Sequence, residues 1–296
     1  MPILGIIASS VLKVIPPTSI DYLVIAGGGG TNSVGNTTGG GGAGGYLASS
    51  IAVTGGSSYT VTVGAGSDGL SNGSNSVFAS ITATGGGYYS VVNPGSIKTV
   101  ASGGSGAGDY SAPSGSGNTP ATSPSQGNAG GIGSANPGSG GAGGGGGAGG
   151  AGGTGSTTSP GPVATGGSGG AGVSSAINGT PVGRGGGGGG AGFINYGGTY
   201  IPGTGSSGGG PAGGNTAPTN TLAIKSGTAN TGGGGGGNGG FSGTFVANGG
   251  SGIVILAYPD TFAPLTSISA GLTYSQPTRA GYRVYQFTGG TGTVTI

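Results

Sequence analysis

Histidine, cysteine, glutamate and tryptophan do not occur among the 296 residues, and the charged side chains are six bases and four acids. The acids are Asp21, Asp68, Asp109 and Asp260; the bases are Lys13, Lys98, Arg184, Lys225, Arg279 and Arg283. No imidazole or thiol is present for general-base or nucleophilic work, no two carboxylates lie close in sequence, and nothing has metal-ligand spacing. The expectation is a non-enzymatic protein without a cofactor, although a lone aspartate with backbone carbonyls leaves Ca²⁺ open. The lack of cysteine excludes disulfides. A net charge of +2 spread along the chain builds no basic patch, which argues against nucleic acid as a partner. No apolar run approaches the ~20 residues of a spanning helix, so membrane insertion is not expected. The opening MPILGIIASSVLKVIPP has no basic region before its apolar run, which argues against a secretory signal.

What the chain has in excess is glycine, 87 residues of it. Such composition ordinarily means a flexible linker, but disordered chains are kept open by charge and low hydrophobicity, and this one is 32% hydrophobic with almost no charge. The glycines are also periodic. In residues 138–155, Gly138, Gly141, Gly144, Gly147, Gly150 and Gly153 form one period-three series. Gly140, Gly143, Gly146, Gly149, Gly152 and Gly155 form a second, and the third series holds small side chains. A left-handed helix of three residues per turn would then have two bare faces, on which neighbouring helices can touch and hydrogen-bond. Collagen, the rival use of period three, needs an unbroken proline-rich repeat, and here loops interrupt the glycine runs.

The ends of the chain differ from its middle. DYLVIA (21–26), YLASSIAV (46–53), SYTVTV (58–63) and VFASITAT (77–84) read as strands, as does GIVILAYP (252–259). GYRVYQFTGGTGTVTI (281–296) reads as a hairpin around its Gly-Gly-Thr-Gly. DYLVIA and GIVILA are apolar at every position, as in strands buried between layers. The expected fold is a β-rich base formed from both chain ends plus a glycine-rich bundle of polyglycine II helices, with essentially no α-helix. Its divisions are 1–20, a docking or oligomerisation segment; 21–84, the first part of the base; 85–251, the bundle, in rods of roughly eight to twelve residues; and 252–296, the C-terminal strands and hairpin.

Short motifs add little. With this much glycine, about seven chance matches to the dinucleotide pattern GxGxxG are expected, and Lys225-Ser226 lacks the preceding glycine of a phosphate loop. The loops between glycine runs are the chemically varied part, and their aromatics, Tyr88, Tyr89, Tyr110, Phe193, Tyr196, Tyr200, Phe241 and Phe245, either cap the ends of the glycine bundle or contact a receptor. Tyrosine with serine, glycine and asparagine is a composition of adaptable binding loops.

The blocks DYLVIAGGGG, GGGGAGGYL, SYTVTVGAG, SVFASITATGGG and NGGSGIVILAYP together resemble the glycine-rich domain of tailed-bacteriophage tail-fibre and adhesin proteins, over roughly residues 21–259. The terminal GYRVYQFTGGTGTVTI is similar to a hairpin that accompanies this domain. The resemblance implies a virion location, a sandwich of polyglycine II helices whose distal loops contact a host glycan or outer-membrane protein, other virion proteins as partners, and a homotrimer. It implies no catalytic residues. Only about twenty residues precede the glycine domain, too few for a dedicated attachment domain, so a capsid head fibre or decoration protein is the alternative reading. An ice-binding polyglycine II protein is the second alternative.

Overall fold

The computed structural model describes residues 15–91, 98–111, 113–136, 139–158, 163–194, 198–210, 226–239 and 244–296. Most of the expected docking segment therefore lies outside the described residues, as do Gly138, Tyr196 and Phe241. All regular secondary structure among the described residues is strand.

The apolar runs at the two chain ends pair with each other. Strand Ser19–Ile25 lies between Tyr46–Ala52 and Ile253–Pro259, and Tyr282–Gly289 and Thr273–Ser275 extend the sheet beyond Ile253–Pro259, all antiparallel. A second five-stranded sheet runs in the order Ser267–Ile268, Thr291–Thr295, Ser58–Thr62, Ser76–Phe78, Ile81–Ala83. Alternation along the strands sends Ile20, Tyr22, Val24, Val254, Leu256 and Phe287 into one core with Val61, Phe78 and Val294 of the second sheet. The intervening residues Leu23, Ile25, Ile253, Ile255 and Val284 form a core on the opposite face. The expectation that DYLVIA and GIVILA are buried on both sides holds.

The opposite face is covered in part by a hairpin, Val173–Ser175 with Val182–Arg184. Its turn packs Ile177 against that core, Asn178 Nδ2 donates to Gln286 Oε1 at 3.2 Å and Arg279 Nη1 to the Ile177 carbonyl at 3.2 Å. The Arg279 guanidinium lies 3.6 Å from the centre of the Tyr282 ring, a cation–π contact that keeps its charge near solvent. Because Ile177 is only partly buried, Ile177→Ala is expected to lower stability by about 1–2 kcal/mol, below the usual range for a fully buried isoleucine, as measured by denaturant unfolding.

The terminal hairpin is corrected. Tyr282–Gly289 and Thr291–Thr295 are strands, but they do not pair: the first belongs to one sheet and the second to the other. Gly290, at φ +94°, is the crossing point, and the two strands pair instead with Ile253–Pro259 and with Ser58–Thr62.

Between the strands, glycine stretches join through backbone hydrogen bonds whose direction rotates with period three. In residues 39–45, Gly40 and Ala43 N–H donate to Gly143 and Gly146. Gly41 and Gly44 donate to Gly235 and Gly232, and Gly42 and Gly45 to Gly87 and Thr84. The carbonyls of the same stretch accept from Gly108 and Ser105, from Gly29 and Ala26, and from Gly188. Residues 141–147 repeat the arrangement: Ala142 and Gly145 donate to Ala191 and Gly188, Gly143 and Gly146 to Asp109 and Gly106, and Gly144 and Gly147 to Gly153 and Gly150. Both stretches are buried throughout, so these bonds satisfy backbone groups that water does not reach. Glycine is required because the backbones touch: at Gly145 a Cβ would fall on the Gly41 carbonyl and 2.9 Å from Gly40 O.

Two expectations change here. Residues 138–155 are not one continuous rod, because the chain reverses near 148–150 and its arms hydrogen-bond to each other, Gly144 N–H to Gly153 O at 3.0 Å. Both arms carry the same glycine period, so no composition change marks the reversal. The division drawn at 84/85 is also crossed: residues 27–29, 40–44 and 73 exchange hydrogen bonds with stretches from 85–251, since a bare backbone face serves equally well from either part of the chain.

Candidate functional site

The glycine stretches have two ends. Ala26, Gly45, Thr84 and Gly232 meet beside the base, through the bonds Ala26 N–H to Gly45 O, Gly45 N–H to Thr84 O and Gly44 N–H to Gly232 O. At the far end Thr38, Ala142, Ala191 and Asn238 meet: Ala142 N–H donates to Ala191 O at 2.8 Å, Ala191 N–H to Thr38 O at 3.2 Å and Thr38 N–H to Asn238 O at 2.8 Å. The chain emerges there into three small sheets. One has the order Thr244–Ala247, Thr31–Val34, Tyr89–Val91, Lys98–Val100; another joins Gly192–Ile194, Ser139–Gly141 and Ser134–Asn136; the third joins Ser156–Thr158, Val163–Thr165 and Thr199–Ile201. These strands have few residues because each loop must return into the next glycine stretch.

All six described members of the aromatic set are at this end, in different settings. Tyr89, read as a cap of the bundle or a receptor contact, is interior. It is 1% exposed, packs with Val91, Ala107 and Val100, and its phenol is held far above the ordinary tyrosine range by burial, then by the charge of Asp109 and the neighbouring Tyr110. It sits between a parallel and an antiparallel partner strand, and the run YYSVV does not reveal that second neighbour. Tyr110 is half-buried, and burial raises its phenol pKa. Its ring occupies the place of a side chain at Gly140, where a Cβ would stand 2.5 Å from the Tyr110 hydroxyl and 2.6 Å from Cε2. Gly140 is paired with Phe193, and directly opposed antiparallel residues share a face. Phe193 and the Tyr110 ring thus stand on one side of that small sheet.

Tyr88 and Phe245 are half-buried, Phe245 opposite Ser33, while the Tyr88 N–H donates to Asn72 Oδ1 at 3.4 Å. Tyr200 is half-buried opposite Ala164. The next residue, Ile201, is 46% exposed, and Ile132, just before strand Ser134–Asn136, is 52% exposed. These two isoleucines were missed in the aromatic reading; the run TYI beside a Gly-Gly was the available signal for the first.

The far end also holds an ion pair. Asp109, wholly buried, lies 2.7 Å from the Nζ of Lys98, which is 27% exposed. Asp109 Oδ2 also accepts from the Ser111 N–H at 3.1 Å, and Lys98 donates to Ser111 Oγ at 3.2 Å. The pair ties strand Lys98–Val100 to the end of stretch 105–109. Among the described residues no group of three or more histidine, cysteine, aspartate or glutamate residues is placed to hold a metal ion. No helix among them is long and apolar enough to cross a membrane.

Of the period-three glycines, Gly141, Gly144, Gly147 and Gly153 have neighbouring backbone or a seryl hydroxyl where a Cβ would stand, whereas at Gly150 nothing comes nearer than 3.8 Å. The sequence profile of a family described as a glycine-rich domain matches residues 9–259. No curated protein and no solved structure matches the chain.

Proposed function

Because the chain belongs to the glycine-rich domain family, we propose that its glycine stretches are polyglycine II helices that present the far-end loops rigidly for binding. The observation that carries this reading is the hydrogen-bond rotation: in residues 39–45 and 141–147 successive N–H groups address three different neighbours and return to the first after three residues. A helix of three residues per turn aims its amides 120° apart and makes no bonds within itself, so every bond must be lateral. A rod bonded on all sides resists bending, and the loops at its end inherit that stiffness. Preorganised loops lose less entropy on binding than mobile ones.

On this footing the protein is a bacteriophage virion structural protein, a tail-fibre or fibre-tip adhesin, whose far-end loops contact a host surface glycan or outer-membrane protein. It works as a homotrimer alongside other virion proteins. The part-exposed Tyr200 and the exposed Ile201 and Ile132 supply apolar and aromatic contact area, with Tyr88, Tyr110, Phe193 and Phe245 at the same end of the glycine stretches. The same loops on a capsid facet would make a decoration protein, and the test separates the two.

The double variant Tyr200→Ala, Ile201→Ser is expected to keep the melting temperature within about 3 °C, because neither residue is fully buried. It is expected to slow adsorption of particles carrying it by about tenfold or more, the factor that corresponds to 1.4 kcal/mol of lost contact. Adsorption that is unchanged in this variant and in swaps of loops 156–165 and 192–202 would overturn the adhesin reading, and immunogold labelling of capsid facets would replace it with decoration.

A further inference from the structure

Arg184 ends the hairpin strand Val182–Arg184 opposite Val173, at the seam where the glycine stretches meet the base. The residue is 3% exposed, and its Nε and Nη1 are buried without a hydrogen-bond partner. A guanidinium does not escape burial by losing its proton, and an uncompensated buried charge is strongly unfavourable. The rest of the chain offers it no counter-charge. Asp21 accepts from Ser50 Oγ at 2.6 Å, Asp68 accepts from the Leu70 N–H at 3.0 Å, Asp109 is paired with Lys98, and Asp260 lies in an exposed turn. There is no glutamate, and these four aspartates are the full acid supply. The terminal residue Ile296 is bound into the base, its N–H donating to Ser57 O.

The Tyr46 side chain lies within electrostatic reach of Arg184. A neutral phenol has one O–H to donate to an anion beside the guanidinium. The Tyr46 ring packs at the end of strand Val182–Arg184, 3.9 Å from where a Cβ at Gly185 would stand. We propose that Arg184, with the Tyr46 hydroxyl, binds one small monovalent inorganic anion of the chloride class at this seam. One guanidinium balances one negative charge, and the near-complete burial of Arg184, 3% exposed, favours a small halide over a phosphate. The anion then locks the hairpin Val173–Arg184 onto the strand Tyr46–Ala52 and so onto the base.

The test uses the full chain, melted by calorimetry in sodium chloride, sodium bromide or sodium gluconate at equal ionic strength. Chloride and bromide are expected to raise the melting temperature by roughly 3–6 °C over gluconate with a saturating concentration dependence, as for a ligand of the native state alone. Arg184→Met is expected to abolish that difference while melting no lower than wild type in gluconate, since it removes the buried charge. Tyr46→Phe is expected to shift the half-saturating concentration upward several-fold. Equal melting temperatures of the wild type in chloride and gluconate, or a full chloride response in Arg184→Met, would overturn the site. Should Arg184→Met fail to fold, ³⁵Cl line broadening on the wild type decides: excess width displaced by bromide supports the site, and its absence refutes it.

Discussion

Gly145→Val is expected to leave the protein without a cooperative melting transition, whereas Gly150→Ala, five residues along in the same glycine run, is expected to melt within about 2 °C of the wild type. At Gly145 the added Cβ lands on the Gly41 carbonyl, with Gly40 O 2.9 Å away. The obstacle is backbone, so no change of rotamer relieves it, unlike most overpacked cores. Residues 39–45 would have to move away, but Gly41 donates to Gly235 and accepts from Gly188, Gly42 donates to Gly87 and Gly40 accepts from Gly108. Losing several such bonds at about 1 kcal/mol each, with their partners left buried and unpaired at about 1–3 kcal/mol each, is comparable to the whole ~5–15 kcal/mol stability of a folded domain. At Gly150 the nearest atoms are at 3.8 and 3.9 Å, an ordinary contact distance, and alanine narrows the unfolded ensemble in compensation. Circular dichroism melts of the two variants check the contrast. A cooperative transition for Gly145→Val near the wild-type temperature would contradict the close approach of the two stretches.

The second large effect is expected at Lys98. Lys98→Met leaves the Asp109 carboxylate, which is wholly buried, without its cation, and removing one partner of a buried pair typically costs about 3–5 kcal/mol. Because Lys98 is itself 27% exposed, the expected loss is at the lower end, about 3 kcal/mol, or a fall of roughly 6–10 °C in melting temperature. Asp109→Asn should lose less, because the freed ammonium can turn to solvent. The double variant Lys98→Met, Asp109→Asn should recover part of the loss of Lys98→Met, which a double-mutant cycle measures. Hydrogen exchange should localise the damage: Asp109 N–H donates to Gly131 O and Asp109 O accepts from Gly143 N–H, so amides at 109 and 143 are expected to lose protection before those of the base. A double variant no more stable than Lys98→Met would mean that the charge of Asp109 is not the source of the loss.

Parts of the candidate site were legible in the residues, to different degrees. Tyr200 and Phe193 fall on short strands at the far end because each sits in a mixed loop between glycine runs, a pattern visible in the chain. Tyr89 was read with them and is interior, because Thr31–Val34 covers it from nearly sixty residues away. Ile132 and Ile201 escaped notice because single exposed aliphatic residues carry no mark in a sequence. The unpaired state of Arg184 needed both levels: the shortage of acids is compositional, but the burial of its guanidinium appears only when the hairpin is seated.

The sequence alone determined that both chain ends supply buried strands, since apolar β-branched residues at consecutive positions have no exposed face to offer. It also determined that the glycine runs are ordered elements, since a chain with so little charge has no means of staying solvated and open. Only the tertiary structure decided where the runs turn, which stretch touches which, and that the last two strands part company at Gly290. The reason is that glycine faces are interchangeable: with no side chain to distinguish one bare backbone from another, pairing is settled by where the strands and loops at the two ends hold each stretch. Side-chain chemistry encodes the ends, and packing geometry selects the arrangement between them.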